Sequence, residues 1–286
     1  MTEQPADINE RAGVGSSGRP RAKLGLIAGH GRFPILLAQA ARSKGFEVVA
    51  IAVEGEASHE LTEHVDRIFW LGAGDIRRAI ETFVAEGVRE LVMAGKVRKQ
   101  RIFELERVEK PLAAAIGSLQ ARGDDAVLRV IAGELERGGL RVRESASLVE
   151  SLIPKSGLLT RRQASERELA DVEFGAGIAR QLAGLGVGQT VVVRSGVVVA
   201  VEAIEGTDAT ILRGGACAGA GTVAVKVSGP KQDLRFDMPV VGPGTLRSLV
   251  EAKASCLAME AGRTIVLELA EVVRQADEAG VCLLAV

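Results

Sequence analysis

The 286-residue sequence has no tyrosine, a single tryptophan (Trp70) and seven phenylalanines, which removes the aromatic platform on which single-stranded nucleic acid stacks. Neither sign of charge is in excess. With 36 basic and 37 acidic residues the formal net charge is -1, so bulk attraction to nucleic acid is excluded and only local patches remain for an anionic surface. Cys217, Cys256 and Cys282 are odd in number and form no C-x-x-C pair, which suits core filler in a reducing compartment better than a disulfide framework. His59 and His64 are not at helical ligand spacing, and no Cys/His cluster resembles a zinc site. There is no G-x-S-x-G elbow and no G-x-x-x-x-G-K-[ST] phosphate loop. No apolar run reaches transmembrane length, so the sequence predicts a soluble protein or one that touches a membrane only at its surface.

What is present is glycine, 34 residues of it, in a chain that is 47% apolar, a balance that suits sheets with many tight connections to helices. The length exceeds one ordinary core and implies two domains. Residues 1–22, rich in Gly, Pro and Ser, read as a disordered tail. The pattern loses regularity between Arg141 and Thr160, where Pro154 and Gly157 interrupt it, so the domains are expected at 23–150 and 151–286.

The first domain alternates strand and helix. Leu24 to Gly29 reads as a buried strand, Phe33-Pro34 opens a helix that ends near Gly45, and strands follow at 46–53, 66–71 and 88–94, with a helix at 76–86 for which Asp75 is the expected cap. This spacing predicts a parallel, doubly wound, Rossmann-like sheet that takes ligands at the carboxyl ends of its strands. Gly29, Glu54, Gly72 and Lys96 fall at those ends. Gly29-His30-Gly31 joins the first strand to the first helix as a Gly-x-Gly loop, with Pro34 where a dinucleotide fingerprint has its third glycine; a phosphate cradle and a plain tight turn both fit it. Lys96, Arg98, Lys99 and Arg101 form a basic run, readable as a solvated loop or as a contact for phosphate or anionic lipid. Asp124 and Asp125 precede an amphipathic helix; capping accounts for one of them, and substrate or metal contact is open for the pair.

The second domain begins with a helix from Ser165 to Leu185, where Ser165 and Glu168 form a capping box. Two β-branched runs, 189–194 and 197–203, flank Ser195-Gly196 as an antiparallel hairpin. Residues 222–228 form a strand in which Lys226 breaks the apolar alternation, as an edge residue or an anion contact. Helices are expected at 243–256 and 269–279, and strands at 264–268 and 281–286, giving a mixed sheet.

Two polar segments interrupt these apolar runs. Glu202, Glu205, Thr207 and Asp208 cluster in one, and Lys231, Asp233, Arg235 and Asp237 in the other. Carboxylates of this density suit a hard divalent cation, with Arg235 and Lys231 able to meet phosphate oxygens, and solvated ion pairs are the other reading. Cleaving a pyrophosphate needs this kind of charge neutralisation and positioning more than a strong protein nucleophile. A non-catalytic lipid or nucleotide carrier, and an oxidoreductase using the Gly29 loop for a dinucleotide, are the rival classes.

Leu24 to Gly29 with Gly31 and Pro34, Ala94-Gly95-Lys96-Val97, Gly123-Asp124-Asp125-Ala126, Glu202 to Ala209 and Gln232 to Pro239 together resemble the successive motifs of the UDP-2,3-diacylglucosamine pyrophosphatases of lipid A synthesis, the type unrelated to calcineurin-like metallophosphoesterases. The resemblance runs in order from about Lys23 to Val286. It implies a nucleotide-type α/β domain, a separate carboxy-terminal catalytic domain and lipid held between them. It further implies hydrolysis of UDP-2,3-diacylglucosamine to 2,3-diacylglucosamine 1-phosphate and UMP, dependent on Mg²⁺ with Mn²⁺ as a substitute, water attacking the sugar-side phosphorus. Asp237 matches the family's essential carboxylate, and Asp208 and Glu205 follow as catalytic or second-tier groups, with Asp237 and Asp208 as metal ligands. Gly29, His30, Gly31, Lys96, Asp124, Asp125, Thr207, Lys226 and Arg235 are the expected substrate contacts. The expected setting is a cytoplasmic homodimer in peripheral contact with the inner membrane, with no nucleic-acid partner.

Overall fold

The computed structural model describes residues 21–95, 124–229, 232–233, 235 and 238–286; the side chains of residues 124–126 fall outside this description. Two compact units meet in sequence at Val149 and Glu150. Residues 1–20 of the expected tail, the basic run from Lys96 to Arg101, Lys231 and Asp237 lie outside the described residues.

In the first unit, strands β1 (Lys23–Ala28), β2 (Glu47–Val53), β3 (Arg67–Leu71), β4 (Glu90–Ala94) and β5 (Arg141–Val142) form one sheet in the order β3-β2-β1-β4-β5. All of its pairings are parallel. Helices α1 (Phe33–Ser43), α2 (Ile76–Ala85) and α3 (Asp124–Arg137) belong to the crossovers. The apolar runs form strands because they are buried: Val48 to Val53 and Leu91 to Ala94 are all below a tenth exposed. Two residues of the expected tail are tied to this unit, since Glu47 N–H donates to the Ala22 carbonyl and Arg21 pairs with Asp66 at 3.3 Å. Asp75 precedes α2 as expected, but its carboxylate turns back to accept from Gly72 N–H at 3.0 Å and makes no cap bond to the helix. The Gly72-Ala73-Gly74 bend brings that amide closer than those of the helix.

The second unit is built on a six-stranded mixed sheet, β6 (Gly157–Leu158), β7 (Thr190–Arg194), β8 (Val197–Val201), β9 (Val223–Lys226), β11 (Cys256–Met259) and β13 (Cys282–Ala285), in the order β6-β13-β11-β9-β7-β8. β9, β11 and β13 run parallel, while β7 pairs antiparallel with both β8 and β9. β10 (Val240–Val241) and β12 (Ile265–Val266) form a separate parallel pair. Side chains alternate strictly between two cores. Val191, Val193, Val223, Val225, Cys256, Ala258 and Cys282 pack with Val172, Ala176 and Ala179 of α4 (Glu166–Gly184). Val192, Ala224, Leu257, Met259 and Leu283 face Ile211 of α5 (Thr207–Ala218), Leu246 and Leu249 of α6 (Pro243–Glu251), and Val272 and Ala276 of α7 (Leu269–Ala279).

Gly175 of α4 and Gly214 of α5 set how closely these layers approach. A Cβ at 175 would lie 2.8 Å from Val225, and one at 214 would lie 2.6 Å from Val192. The capping box forms as expected, Ser165 accepting from Glu168 N–H while Glu168 accepts from Ser165 N–H. The hairpin turn has Ser195 and Gly196 at φ +54° and +75°, and the buried Asp171 carboxylate accepts from both of their N–H groups at 2.8 and 2.6 Å.

Two further expectations are corrected. The helix predicted over 243–256 stops at Glu251; Lys253 takes a left-handed φ of +53°, and Cys256 opens the central strand β11. The four residues Cys-Leu-Ala-Met suit either structure, and burial on both faces makes them a strand. Cys256 and Cys282 are core residues, partners across β11 and β13, whereas Cys217 is exposed on α5.

Candidate functional site

The strand order of the first unit reverses between β1 and β4, the position at which doubly wound sheets open a crevice for ligands. Backbone fills that position. Gly29 N–H donates to Ala94 C=O at 2.8 Å, and Gly95, at φ +89°, lies so close that a Cβ there would be 2.7 Å from the Gly29 carbonyl carbon and 2.8 Å from His30 O. Glycine is required at 95 on both counts. Gly31 turns the chain at φ +104° into α1, which has Pro34 in its first turn and no side-chain cap, and whose Ile35 and Leu36 N–H groups both donate to the Arg32 carbonyl, at 3.1 and 3.2 Å. Beside this turn is an open depression of about 340 Å³ lined by His30, Gly31, Arg32, Ile35, Glu56, Ser58 and Glu60. Asp124 and Asp125 sit in the first turn of α3.

In the second unit a polar row crosses three strands. Lys226 at the end of β9 is the register partner of Thr190 on β7, whose carbonyl in turn accepts from Glu202 N–H just after β8. Lys226 is on the face that carries α5 and is only 5% exposed, so it is a central residue rather than an edge residue. Its ammonium donates to the Thr207 hydroxyl at 2.8 Å and the Thr190 hydroxyl at 3.4 Å, and lies 3.9 Å from Glu202 Oε2. Thr207, the first residue of α5, donates its own hydroxyl proton to Glu202 Oε1 at 3.0 Å. Burial works against ionising Glu202, but the Lys226 charge, the Thr190 and Thr207 hydroxyls and the Gln189 N–H outweigh it and hold the carboxyl below its ordinary range. Glu202 thus faces the Lys226 ammonium as a carboxylate, and the two threonine hydroxyls give both buried groups hydrogen-bond partners.

Asp208, one residue on, makes its contacts with α6. Its Oδ1 accepts from the Thr245 hydroxyl at 2.8 Å in the first turn of α6, and its Oδ2 is so placed that a Cβ on Gly244 would come within 3.2 Å. The starts of α5 and α6 thus meet at this carboxylate, which suits the positive ends of both helices. Glu205 is committed elsewhere. It is held below its ordinary pKa range by its own backbone N–H and then by Arg213, whose guanidinium donates to Oε1 at 2.6 Å, with Thr210 also donating to that oxygen at 3.3 Å. Arg235 grips Asp233, Nη2 to Oδ2 at 2.7 Å and Nε to Oδ1 at 3.0 Å. Near the end of β11, Glu260 accepts from Ser228 N–H at 2.8 Å, and its own N–H donates to the Lys226 carbonyl.

The structure therefore brings Thr207, Lys226 and Glu202 into contact, sets Asp208 on the adjoining helix ends, and gives Glu205 and Arg235 ion-pair partners. Thr190, Thr245 and Glu260 escaped the sequence reading because only the sheet register and the α5–α6 approach bring them in. A lone threonine at the start of a strand carries no local signal. Among the described residues no three His, Cys, Asp or Glu side chains converge as a metal site. Asp208 is a hard oxygen donor without a cationic side-chain partner among those residues, so its chemistry fits one ligand of a Mg²⁺-like ion.

Comparison with known proteins covers both units. Residues 23–152 match the LpxI N-terminal domain and residues 155–284 match the LpxI C-terminal domain. UDP-2,3-diacylglucosamine pyrophosphatase LpxI of Caulobacter vibrioides is 30% identical over 276 residues, covering 92% of this chain and 97% of that protein. Among solved structures, the biotin carboxylase subunit of pyruvate carboxylase is similar at 13% identity and a TM-score of 0.28, over 60% of this chain and 35% of that one. Glycinamide-RNase-transformylase T from Mycobacterium tuberculosis is similar at 19% identity and a TM-score of 0.24, over 62% and 42%. This chain spans less than half the length of either, and likeness at that level bears on neither fold nor chemistry. The two domain matches, end to end and in order, together with the relative in Caulobacter, carry the assignment: the chain belongs to the LpxI family.

Proposed function

We propose that this chain hydrolyses the pyrophosphate of UDP-2,3-diacylglucosamine to 2,3-diacylglucosamine 1-phosphate and UMP. The observation that supports it most is the alignment with the Caulobacter enzyme, 30% identical across 92% of this chain and 97% of that protein. Water attacks the sugar-side phosphorus, forming one P–O bond as the bridging P–O bond breaks. The bridging electron pair leaves with UMP, and the water proton passes to solvent.

Each group has a task under this reading. The Gly29-His30-Gly31 turn and Gly95 let backbone N–H groups approach the nucleotide phosphate. Lys226 and Thr207 hold pyrophosphate oxygens, and Lys96, Asp124, Asp125 and Arg235 serve as further substrate contacts. Asp208 and Asp237 hold a divalent cation, Mg²⁺ with Mn²⁺ as a substitute, which supplies neutralisation of the charge that builds on the phosphoryl oxygens. Glu205 steadies the start of α5 through Arg213. No helix among the described residues is long and apolar enough to cross a membrane. We take the protein to work as a homodimer in peripheral contact with the cytoplasmic face of the inner membrane, where its diacyl substrate resides.

Purified protein given UDP-2,3-diacylglucosamine and Mg²⁺ in ¹⁸O-water should release UMP, with the label in the sugar 1-phosphate. No UMP would overturn the activity, and label in UMP would overturn the direction of attack. An undiminished rate in excess chelator would remove the metal from the scheme.

A further inference from the structure

Lys226 lies in a place where a cation is costly. At 5% exposure its ammonium has lost most of its water, and an unpaired charge there would lose its proton or move outward. Among the described residues Glu202 is a carboxylate facing it, and it touches Lys226 in two ways: through the 3.9 Å approach of Oε2 and through the Thr207 hydroxyl, which accepts from Lys226 while donating to Oε1. That hydroxyl therefore has a fixed orientation, with its proton on Glu202 and a lone pair on Lys226. Glu202 is itself fixed at the backbone, its N–H on Thr190 C=O at 2.8 Å and its Oε2 accepting from Gln189 N–H at 3.3 Å. A purely structural ion pair would need only the two charges. Here the carboxylate also sets the rotor of the first residue of α5, the helix that carries Asp208 one residue later.

We propose that Glu202 is a positioning residue: it keeps Lys226 in place and charged and turns the Thr207 hydroxyl so that both address the pyrophosphate of the substrate. This rests on the pyrophosphatase reading above. Removing the carboxylate charge leaves the side chains present while taking a negative charge away from beside the ammonium and weakening the acceptor that orients the hydroxyl, so the loss falls on kcat, where alignment counts, more than on KM.

The test is a double-mutant cycle read in UMP release from UDP-2,3-diacylglucosamine. Glu202→Gln is expected to lower kcat roughly tenfold with KM changed less than about threefold. Lys226→Met should cost on the order of a hundredfold, and the double variant should lose clearly less than the product of the two single losses, because Glu202 acts in part through Lys226. Thr207→Ser should retain most of the rate and Thr207→Val should not. Melting temperatures of all variants are measured alongside, and the threonine pair supplies the answer if either charge variant fails to fold. Full kcat in Glu202→Gln, losses that simply multiply in the double variant, or a double variant restored to wild-type rate would each overturn this inference while leaving the activity intact. An inert wild-type protein would overturn the pyrophosphatase reading and this inference with it.

Discussion

At the carboxyl ends of β1 and β4 the first unit presents backbone among the described residues: Gly29, Gly31 and Gly95. At the carboxyl end of β9 the second unit presents side chains, a buried lysine and a carboxylate joined through two threonine hydroxyls. Strand order accounts for the contrast. An all-parallel sheet with a single reversal sends its connections to opposite sides at the middle, and here glycine backbone fills the space between the two strand ends. In the mixed sheet, the antiparallel β7 is inserted beside β9 and brings Thr190 and the end of β8 level with Lys226, so chemistry collects on a residue row instead. Recognition of a shared, common ligand part suits the first design, and stabilising charge that develops during a reaction suits the second.

The comparison can be broken most forcefully in the second unit. Replacing Asp237 with alanine is expected to reduce UMP release roughly a thousandfold while the lipid nucleotide still binds, as expected of a group used mainly in the transition state. Retained turnover in Asp237→Ala would return the carboxylates to a structural role. Gly95→Ala tests the first unit. The added methyl meets Gly29 and His30 backbone at under 3 Å and forces alanine to φ +89°, costing about 3 kcal/mol. Amide exchange should accelerate in β1 and β4 and remain unchanged in α4; protection equal to wild type would show that the strand ends are not pinched as described.

Smaller effects sharpen the picture within the second unit. Gly175→Ala pushes α4 off Val225 and Val193 and should cost about 1–3 kcal/mol in denaturant unfolding, without changing the Lys226 row on the opposite face. An undiminished midpoint would mean that the helix has room to move. Glu168 supplies a pH signature. Burial pushes its carboxyl up, but hydrogen bonds from Ser255, Arg162 and Ser165 prevail and bring it from 4.5 to about 2. Because the folded value is the lower one, the stabilisation is complete above pH 4.5 and is lost as pH falls from there towards 2. A stability profile of Glu168→Gln should be flatter across that window, and a parallel profile would assign the acid sensitivity elsewhere. Ser165→Ala, which removes half of the same capping box, should cost about 1 kcal/mol.

Much of this was legible in the residues alone. The apolar runs of β1, β2 and β4 announce buried parallel strands, Ser165 with Glu168 announces the start of α4, and Ser195-Gly196 announces the β7–β8 hairpin, because each of these signals is local. The motif residues Thr207, Asp208 and Lys226 were legible as candidates too, since polar groups inside or beside apolar runs stand out at once. Which of them touch was not legible. Asp75 illustrates the limit on a small scale: its position before a helix suggests a cap, yet a nearer amide at Gly72 takes its carboxylate. Glu205 illustrates it at the site, where Arg213, eight residues along and two turns up α5, pairs with the carboxylate, a contact that nothing in the local sequence announces.

The sequence by itself determined the alternation of elements, the two-unit plan and the choice of chemistry-bearing residue types, all of which follow from short-range periodicity and turn propensity. The tertiary structure alone decided that Cys256 to Met259 is a central strand and that Lys226 is buried. It also decided that Thr190 and Glu202 face that lysine and that Thr245 of α6 meets Asp208 of α5. The physical reason is register. The contacts that define the row join residues 12 to 36 positions apart on three neighbouring strands, and only the pairing of whole strands and the packing of helices over them fixes which side chains share a face.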